Sequence, residues 1–128
     1  MQIDGTPLWI TGLPNGNESR VGRTMQHIPA DALSLFLYHT PDAIPAAIAT
    51  HVDLYCAGHT HGGQVALPWY GALVTFSSCG KRWEAGLYHE GGTWIYVNRG
   101  IGMAGGWMPR FRFWATPELT VIDIRSGV

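Results

Sequence analysis

The chain has 128 residues, of which 46% are hydrophobic and 13% are charged, and its formal net charge is −1. This length corresponds to one domain, and the apolar fraction excludes the highly charged class of disordered proteins. The eight Lys and Arg residues are scattered, without the basic stripe that binding to phosphates requires, so we expect no nucleic-acid partner.

The sequence carries neither a predicted membrane span nor a predicted export signal. Its longest purely apolar stretch, residues 43–49, is much shorter than the roughly eighteen residues needed to cross a bilayer. The first residues lack a basic region followed by an apolar run. Cys56 and Cys79 could form one bridge, but a chain of this length does not need it, and we expect both thiols to be reduced. These features predict a cytoplasmic protein and leave membrane association of a parent protein open.

The first half of the chain predicts short apolar strands joined by loops. Residues 7–12 predict a buried strand that ends at a loop rich in Gly, Pro and Asn. Residues 33–38 predict a second strand, apolar on both faces and therefore expected to be covered on both sides. A short helix through residues 43–50 follows, and residues 52–57 predict a third strand. The order of these elements indicates a β-α-β unit.

The second half of the chain predicts mainly strands. Residues 86–90 and 93–98 flank Gly91-Gly92, and two glycines between strand-like runs are typical of a tight hairpin. A final strand is predicted over residues 119–124, after the break at Pro117. We therefore predict a single α/β domain over residues 1–128, β-rich after residue 62.

A pair of histidines gives the strongest chemical signal. Residues 58–64 read GHTHGGQ and follow the third predicted strand, where open α/β sheets place their ligands. Two imidazoles one residue apart can point into one cavity, and the flanking glycines let the backbone approach a ligand closely. Because imidazole is a common ligand of transition metals, we predict that His59 and His61 bind metal.

His39 follows the second predicted strand in the same way. In a parallel β-α-β unit, the carboxyl ends of both strands lie at the same edge of the sheet. We therefore predict that His39 converges with His59 and His61. The alternative is that His39 caps the helix beginning at Pro41 or fills a gap in the core.

Several motifs together resemble a known family. They are LYHTPD at residues 37–42, VDL at 52–54, GHTHGGQ at 58–64, GKR at 80–82, GLY at 86–88, VNRGIG at 97–102 and PEL at 117–119. This set resembles the calcineurin-like metallophosphoesterases, and within them a bacterial, often membrane-associated branch. The resemblance covers nearly the whole chain, from about residue 8 onward.

The resemblance implies a fold, an activity and a ligand set. The fold would be the C-terminal half of a four-layer α/β/β/α sandwich. The activity would be hydrolysis of a phosphodiester or pyrophosphate with two divalent ions (Mn, Fe or Zn). His39 and His59 would bind one ion and His61 the other. The implied partners are a phosphoester substrate and either the N-terminal half or a second copy of the chain, with peripheral membrane contact left open.

Earlier motifs of the family, Asp-x-His, Gly-Asp-x-x-Asp and Gly-Asn-His, are absent from this sequence. They supply the bridging carboxylate and the remaining ligands. Residues 16–18 read GNE, lack the histidine and predict a loop. We therefore expect the isolated chain to be inactive or incomplete, and no catalytic residue is assigned. The alternative is a non-catalytic metal-binding or interaction module.

Two further sets of residues have more than one interpretation. Arg99 could bind a phosphoryl group, since guanidinium binds phosphate bidentately, or it could brace its loop through a carboxylate. A cluster of basic and aromatic residues is predicted to form a packed rim. The alternative is that it contacts a lipid headgroup or a missing domain. The cluster comprises Trp107, Arg110, Phe111, Arg112, Phe113 and Trp114.

The low charged fraction and the six Trp residues indicate more apolar surface than a monomer of this size can bury. A sheet that belongs to a sandwich keeps its apolar inner face even when the facing sheet is absent. We therefore expect an exposed apolar flank. Such a flank would cause self-association or aggregation, or would require the missing half.

Overall fold

One mixed sheet organises the chain, and the computed structural model describes residues 1–106 and 110–125. The strands are β1 (Gln2–Ile3), β2 (Thr6–Gly12), β3 (Leu33–Leu37), β4 (Leu54–Ala57), β5 (Ala66–Leu67), β6 (Gly71–Ala72), β7 (Gly86–Glu90) and β8 (Thr93–Val97). The helices are α1 (Val21–Met25) and α2 (Ile44–Ala49), with single 3-10 turns at Glu18–Arg20, Pro41–Ala43 and His61–Gly63.

The sheet has six strands in the order β1-β2-β3-β4-β8-β7, and β5 pairs separately with β6. Strands β2, β3, β4 and β8 are parallel, while β1 and β7 pair antiparallel at the two edges. The predicted β-α-β unit is confirmed as β3, α2 and β4. The predicted hairpin is confirmed as β7 and β8, and both Gly91 and Gly92 have the positive φ that a tight turn requires.

The hydrophobic core lies between the helices and one face of the sheet. Phe36 of β3 and Tyr55 of β4 are fully buried, and their rings stack with centroids 5.9 Å apart. Ile44 of α2 and Val21 of α1 cover them from the helical side. Burying each large side chain contributes roughly 1.5–3 kcal/mol, so this two-layer core is the main stabilising unit.

The opposite face of the sheet is open. Alternation along the strands places a set of apolar side chains there, which we call the open face: Ile10, Leu35, Leu37, Leu54, Leu87 and Trp94. Of these, Leu37 and Trp94 are 47% and 49% exposed. β3 was predicted to be covered on both faces, but among the described residues only its core face is fully covered. The described residues form two layers, and they do not by themselves make a four-layer sandwich.

The strand predicted over residues 119–124 is wrong. This segment has no ladder partner in the part of the chain that the structure describes. It crosses the open face, where the hydroxyl groups of Thr120 and Tyr96 are hydrogen-bonded at 2.5 Å. Ile122 and Ile124 line one cavity together with Trp94. An extended segment that lies on a sheet also alternates covered and exposed residues. The sequence pattern alone therefore could not distinguish a paired strand from an unpaired extended segment.

The strand-rich prediction after residue 62 holds for β7 and β8, whereas residues 64–85 are mostly loop.

Both thiols are free, as predicted from the sequence. Burial raises the pKa of Cys56 and of Cys79, which keeps each thiol protonated at neutral pH.

No helix within residues 1–106 and 110–125 is long and apolar enough to cross a bilayer.

The open face predicts self-association of the purified chain. We expect the 128-residue chain to bind a hydrophobic dye and to form concentration-dependent oligomers in sedimentation velocity. Replacing Leu37 with Lys should reduce both dye binding and oligomer formation, because it places a charge on the exposed apolar surface. A monomer that is stable on dilution and binds no dye would contradict this interpretation.

Candidate metal centre

His39 and His59 meet at one edge of the sheet. The backbone N–H of Gly58 donates to the carbonyl of His39 at 3.2 Å, which continues the pairing of β3 and β4 beyond the strands. Nδ1 of His59 lies 3.0 Å from Nε2 of His39, and their ring centroids are 4.7 Å apart. His39 is exposed, and the side chain of Thr40 caps the following turn. The capping and core-filling alternatives for His39 are therefore wrong.

His61 lies on the wall of the same cavity as His59. This cavity has a volume of about 270 Å³, and Gln64 and Phe76 also line it. Nδ1 of His61 lies 3.2 Å from the carbonyl oxygen of Gly102. Within residues 1–106 and 110–125, no group of three or more His, Cys, Asp or Glu side chains is arranged to hold one ion. His61 is therefore a neighbour of the His39–His59 pair, and its metal ligation stays a prediction.

The electrostatic environment of His61 favours its neutral form. Partial burial lowers the pKa of His61 below its usual value, and the nearby positive charge of Arg112 acts in the same direction. Neutral imidazole is the form that binds metal, so this site does not need to release a proton from His61 at neutral pH before an ion can bind.

The ring nitrogens of His39 and His59 lie 3.0 Å apart, at hydrogen-bond distance. Imidazole nitrogens bind zinc at about 2.0–2.1 Å, and two such bonds in a tetrahedral site place the nitrogens roughly 3.3 Å apart. The two nitrogens are therefore close enough to be candidate ligands of one ion after a small displacement of the rings. Nε2 of His59 lies 3.3 Å from the carbonyl oxygen of Phe76, to which it can donate its proton. Nδ1 then keeps its lone pair toward His39, an arrangement common among metal-binding histidines.

The loop that carries the two histidines has an uncommon backbone. His59 and His61 have φ values of 70° and 52°, in the left-handed region that favours glycine. The buried Thr60 between them holds the loop, because its hydroxyl donates to the carbonyl of Glu84 at 2.7 Å. Gly63 lies against β6 so closely that a Cβ atom would overlap the side chain of Ala72. The surrounding contacts therefore impose this conformation on both histidines.

Two polar residues that sequence reasoning did not assign also hold the site. The guanidinium of Arg112 donates to the backbone carbonyls of His61, Arg99, Gly100, Gly102 and Ala115. The buried side chain of Gln64 bonds both the N–H and the carbonyl of Ala104. Gln64 belongs to the GHTHGGQ motif and could have been singled out, whereas the sequence marked Arg112 only as a member of the basic aromatic cluster.

Arg99 braces its loop, which is one of the two roles left open by the sequence. Its Nε lies 2.7 Å from a carboxylate oxygen of Glu118, and the backbone N–H of Glu118 donates to the carbonyl of Gly100. Its side chain is 38% exposed. The substrate-binding role of Arg99 stays a prediction.

The packed-rim interpretation of the basic aromatic cluster is wrong for the aromatic members that the structure describes. Phe111, Phe113 and Trp114 are 52%, 49% and 67% exposed. Backbone hydrogen bonds of Phe113 with Gln64 and Ala66 fix this segment and leave the three rings largely uncovered. Arg112 is the member that turns inward. Trp107 lies outside the described residues.

Glycine usually destabilises a protein more than alanine does, but the left-handed backbone at His59 reverses this order of stability. Both His59→Ala and His59→Gly remove the imidazole, but only glycine relieves the backbone cost of about 1–2 kcal/mol. We therefore expect His59→Gly to have the higher free energy of unfolding in urea denaturation. An alanine variant as stable as the glycine variant, or more stable, would show that this residue is not strained.

Comparison with known proteins identifies relatives of this chain. No family model and no solved structure matches it. A curated protein of Bacillus subtilis named uncharacterized metallophosphoesterase YkuE is 40% identical over 126 residues, which cover 96% of this chain and 42% of that protein. Phosphodiesterase YaeI of Escherichia coli is 36% identical over 90 residues, covering 70% of this chain and 32% of that protein.

A third relative has a more specific name. UDP-2,3-diacylglucosamine pyrophosphatase LpxG of Chlamydia trachomatis is 34% identical over 95 residues, covering 69% of this chain and 28% of that protein. The chain therefore spans less than half of the length of these curated relatives. The alignment with the Bacillus subtilis relative extends over 96% of this chain. The chain belongs to the metallophosphoesterase family.

Proposed function

We propose that this chain supplies histidine ligands to the dinuclear metal centre of a phosphoester hydrolase that acts on a phosphodiester or a pyrophosphate. The observation that carries the proposal is the pair of imidazole nitrogens of His39 and His59, 3.0 Å apart at the shared edge of β3 and β4. The names of the Escherichia coli and Chlamydia trachomatis relatives, a phosphodiesterase and a pyrophosphatase, support this substrate class.

Each histidine has a distinct proposed role. Nε2 of His39 and Nδ1 of His59 hold one divalent ion. His61 binds the second ion through Nε2, because its Nδ1 is occupied by the carbonyl of Gly102 at 3.2 Å and the guanidinium of Arg112 at 3.1 Å. Mn, Fe and Zn all suit imidazole ligands. When bound, such ions polarise the phosphoryl group and lower the pKa of the attacking water. Arg99, with a partly exposed guanidinium, is the proposed substrate-binding residue.

The chain requires further ligands to complete this centre. Two dications held close together repel one another unless carboxylates compensate their charge. Since the chain matches less than half of its relatives' length, we propose that the remainder of the family domain supplies the bridging carboxylate. That remainder would pack on the open face and complete the four-layer sandwich. A second copy of the chain is the other candidate for covering this face.

A second candidate function belongs to a different class. The chain could serve as a metal-binding or interaction module without catalysis. The observation that favours it is that no carboxylate joins the histidines in a metal-holding group within the described residues. The two candidates share the histidine pair and differ in whether turnover appears when the missing ligands are supplied.

Metal binding by the histidine pair can be measured on the isolated chain. We expect His59→Ala to weaken Zn²⁺ binding at least about tenfold in isothermal titration calorimetry, because it removes one of two paired imidazoles. His89→Ala is the matched control, since His89 stacks on Trp94 in the hairpin with ring centroids 4.4 Å apart. Equal Zn²⁺ affinity of the two variants would exclude the proposed centre.

Turnover separates the two candidate functions. We expect the isolated chain to hydrolyse bis(p-nitrophenyl) phosphate poorly with Mn²⁺ or Zn²⁺. Co-expression with the segment of the Bacillus subtilis relative that the alignment leaves uncovered should restore turnover, and His61→Ala should abolish it. A folded complex that binds metal without turnover would favour the non-catalytic module. Fast turnover by the isolated chain, abolished by His61→Ala, would show that no further ligands are needed.

A further inference from the structure

Asp42 joins the helical side of the site to a distant loop. Its Oδ1 accepts hydrogen bonds from the hydroxyl of Ser77 at 2.6 Å, the N–H of Ser78 at 2.9 Å and the hydroxyl of Ser78 at 3.0 Å. Asp42 lies within the turn Pro41–Ala43, three residues after His39. The sequence places this carboxylate in the LYHTPD motif and assigns it no role in the site.

The loop held by Asp42 carries the carbonyl that contacts His59. Phe76 immediately precedes Ser77, and its carbonyl oxygen lies 3.3 Å from Nε2 of His59. A second tether fixes the same loop, because Sγ of Cys79 lies 3.7 Å from the carbonyl oxygen of Pro41. The position of the Phe76 carbonyl therefore depends on the contacts between residues 41–42 and 77–79.

The tautomer of His59 follows from that carbonyl. A carbonyl oxygen can only accept a hydrogen bond, so Nε2 must carry the proton when it contacts Phe76. Nδ1 then presents its lone pair to Nε2 of His39, 3.0 Å away, and accepts a hydrogen bond when that nitrogen carries its proton. The other tautomer would leave the carbonyl of Phe76 without this donor and would block Nδ1 with a proton.

We propose that Asp42 is a positioning residue that fixes the tautomer of His59 through the loop of residues 76–79. The part of this inference that concerns metal affinity rests on the proposed function, whereas the tautomer of the metal-free chain does not. The hydrogen bonds from Ser77 and Ser78 outweigh the effect of burial, so the pKa of Asp42 lies below its usual value and the carboxylate stays ionised at neutral pH. An ionised carboxylate is the stronger acceptor for these donors.

The test compares two aspartates that make similar bonds at opposite ends of the sheet. Asp42→Ala removes the proposed tether, and Asp42→Asn keeps an oxygen acceptor at the same place. Asp53→Ala is the matched control, because Asp53 precedes β4 and accepts from the N–H and hydroxyl of Ser34 at 2.8 and 2.7 Å. Nitrogen-15 NMR of the imidazoles, at a pH where they are neutral, reports the tautomer of His59 in each metal-free chain.

We expect the proton on Nε2 of His59 in the unsubstituted chain, in Asp42→Asn and in Asp53→Ala, and a mixture of both tautomers in Asp42→Ala. Zn²⁺ affinity by titration calorimetry should fall about tenfold in Asp42→Ala, the scale seen when a residue behind a metal ligand is lost. It should remain close to the unsubstituted value in the other two variants.

Other outcomes have distinct meanings. An unchanged tautomer in Asp42→Ala, or equal losses of Zn²⁺ affinity in Asp42→Ala and Asp53→Ala, would overturn the positioning role. A mixed tautomer in Asp42→Ala alongside Zn²⁺ binding that does not depend on His59 would retain that role and overturn the proposed function instead. If Asp42→Ala does not fold, Ser77→Ala tests the same link, because it removes the hydroxyl that donates to Asp42 and accepts from the N–H of Cys79. An unchanged His59 tautomer in this variant would overturn the proposal.

Discussion

The parallel pairing of β3 with β4 is the constraint on which the rest of the structure depends. It places Phe36 opposite Tyr55, whose stacked rings form the centre of the core. The buried hydroxyl of Tyr55 donates to the carbonyl of Thr40 at 2.6 Å, which fixes the chain just beyond β3. The same register brings His39 and His59 to one edge. A slip by one residue would turn every side chain of a strand to the other face and would separate both pairs.

Burial on one side of the sheet explains the unusual composition of the chain. The helical side holds a complete core, while the open face presents apolar side chains that a lone domain would normally replace with polar ones. The segment of residues 118–125 covers only part of this face. This apolar open face accounts for the low fraction of charged residues. It also agrees with the observation that the chain covers 42% of the length of its Bacillus subtilis relative.

The histidine loop shows how an uncommon backbone is maintained. His59 and His61 occupy the left-handed region, which a free loop of this sequence would leave. Contacts from distant parts of the chain prevent this, namely those of the Thr60 hydroxyl with the carbonyl of Glu84 and of the Arg112 guanidinium with the carbonyl of His61. The site is thus built from one short motif and several residues far from it in sequence.

The sequence by itself determined the elements whose patterns are local. β2, β3 and β4 follow from short apolar runs, the hairpin from Gly91-Gly92, and the position of GHTHGGQ from the strand before it, since the carboxyl ends of parallel strands share an edge. Only the tertiary structure decided that residues 119–124 lie on the open face, that Arg112 turns inward and that Asp42 holds residues 77–78. These features depend on contacts between residues far apart in the chain, and neither periodicity nor spacing records which distant groups will meet.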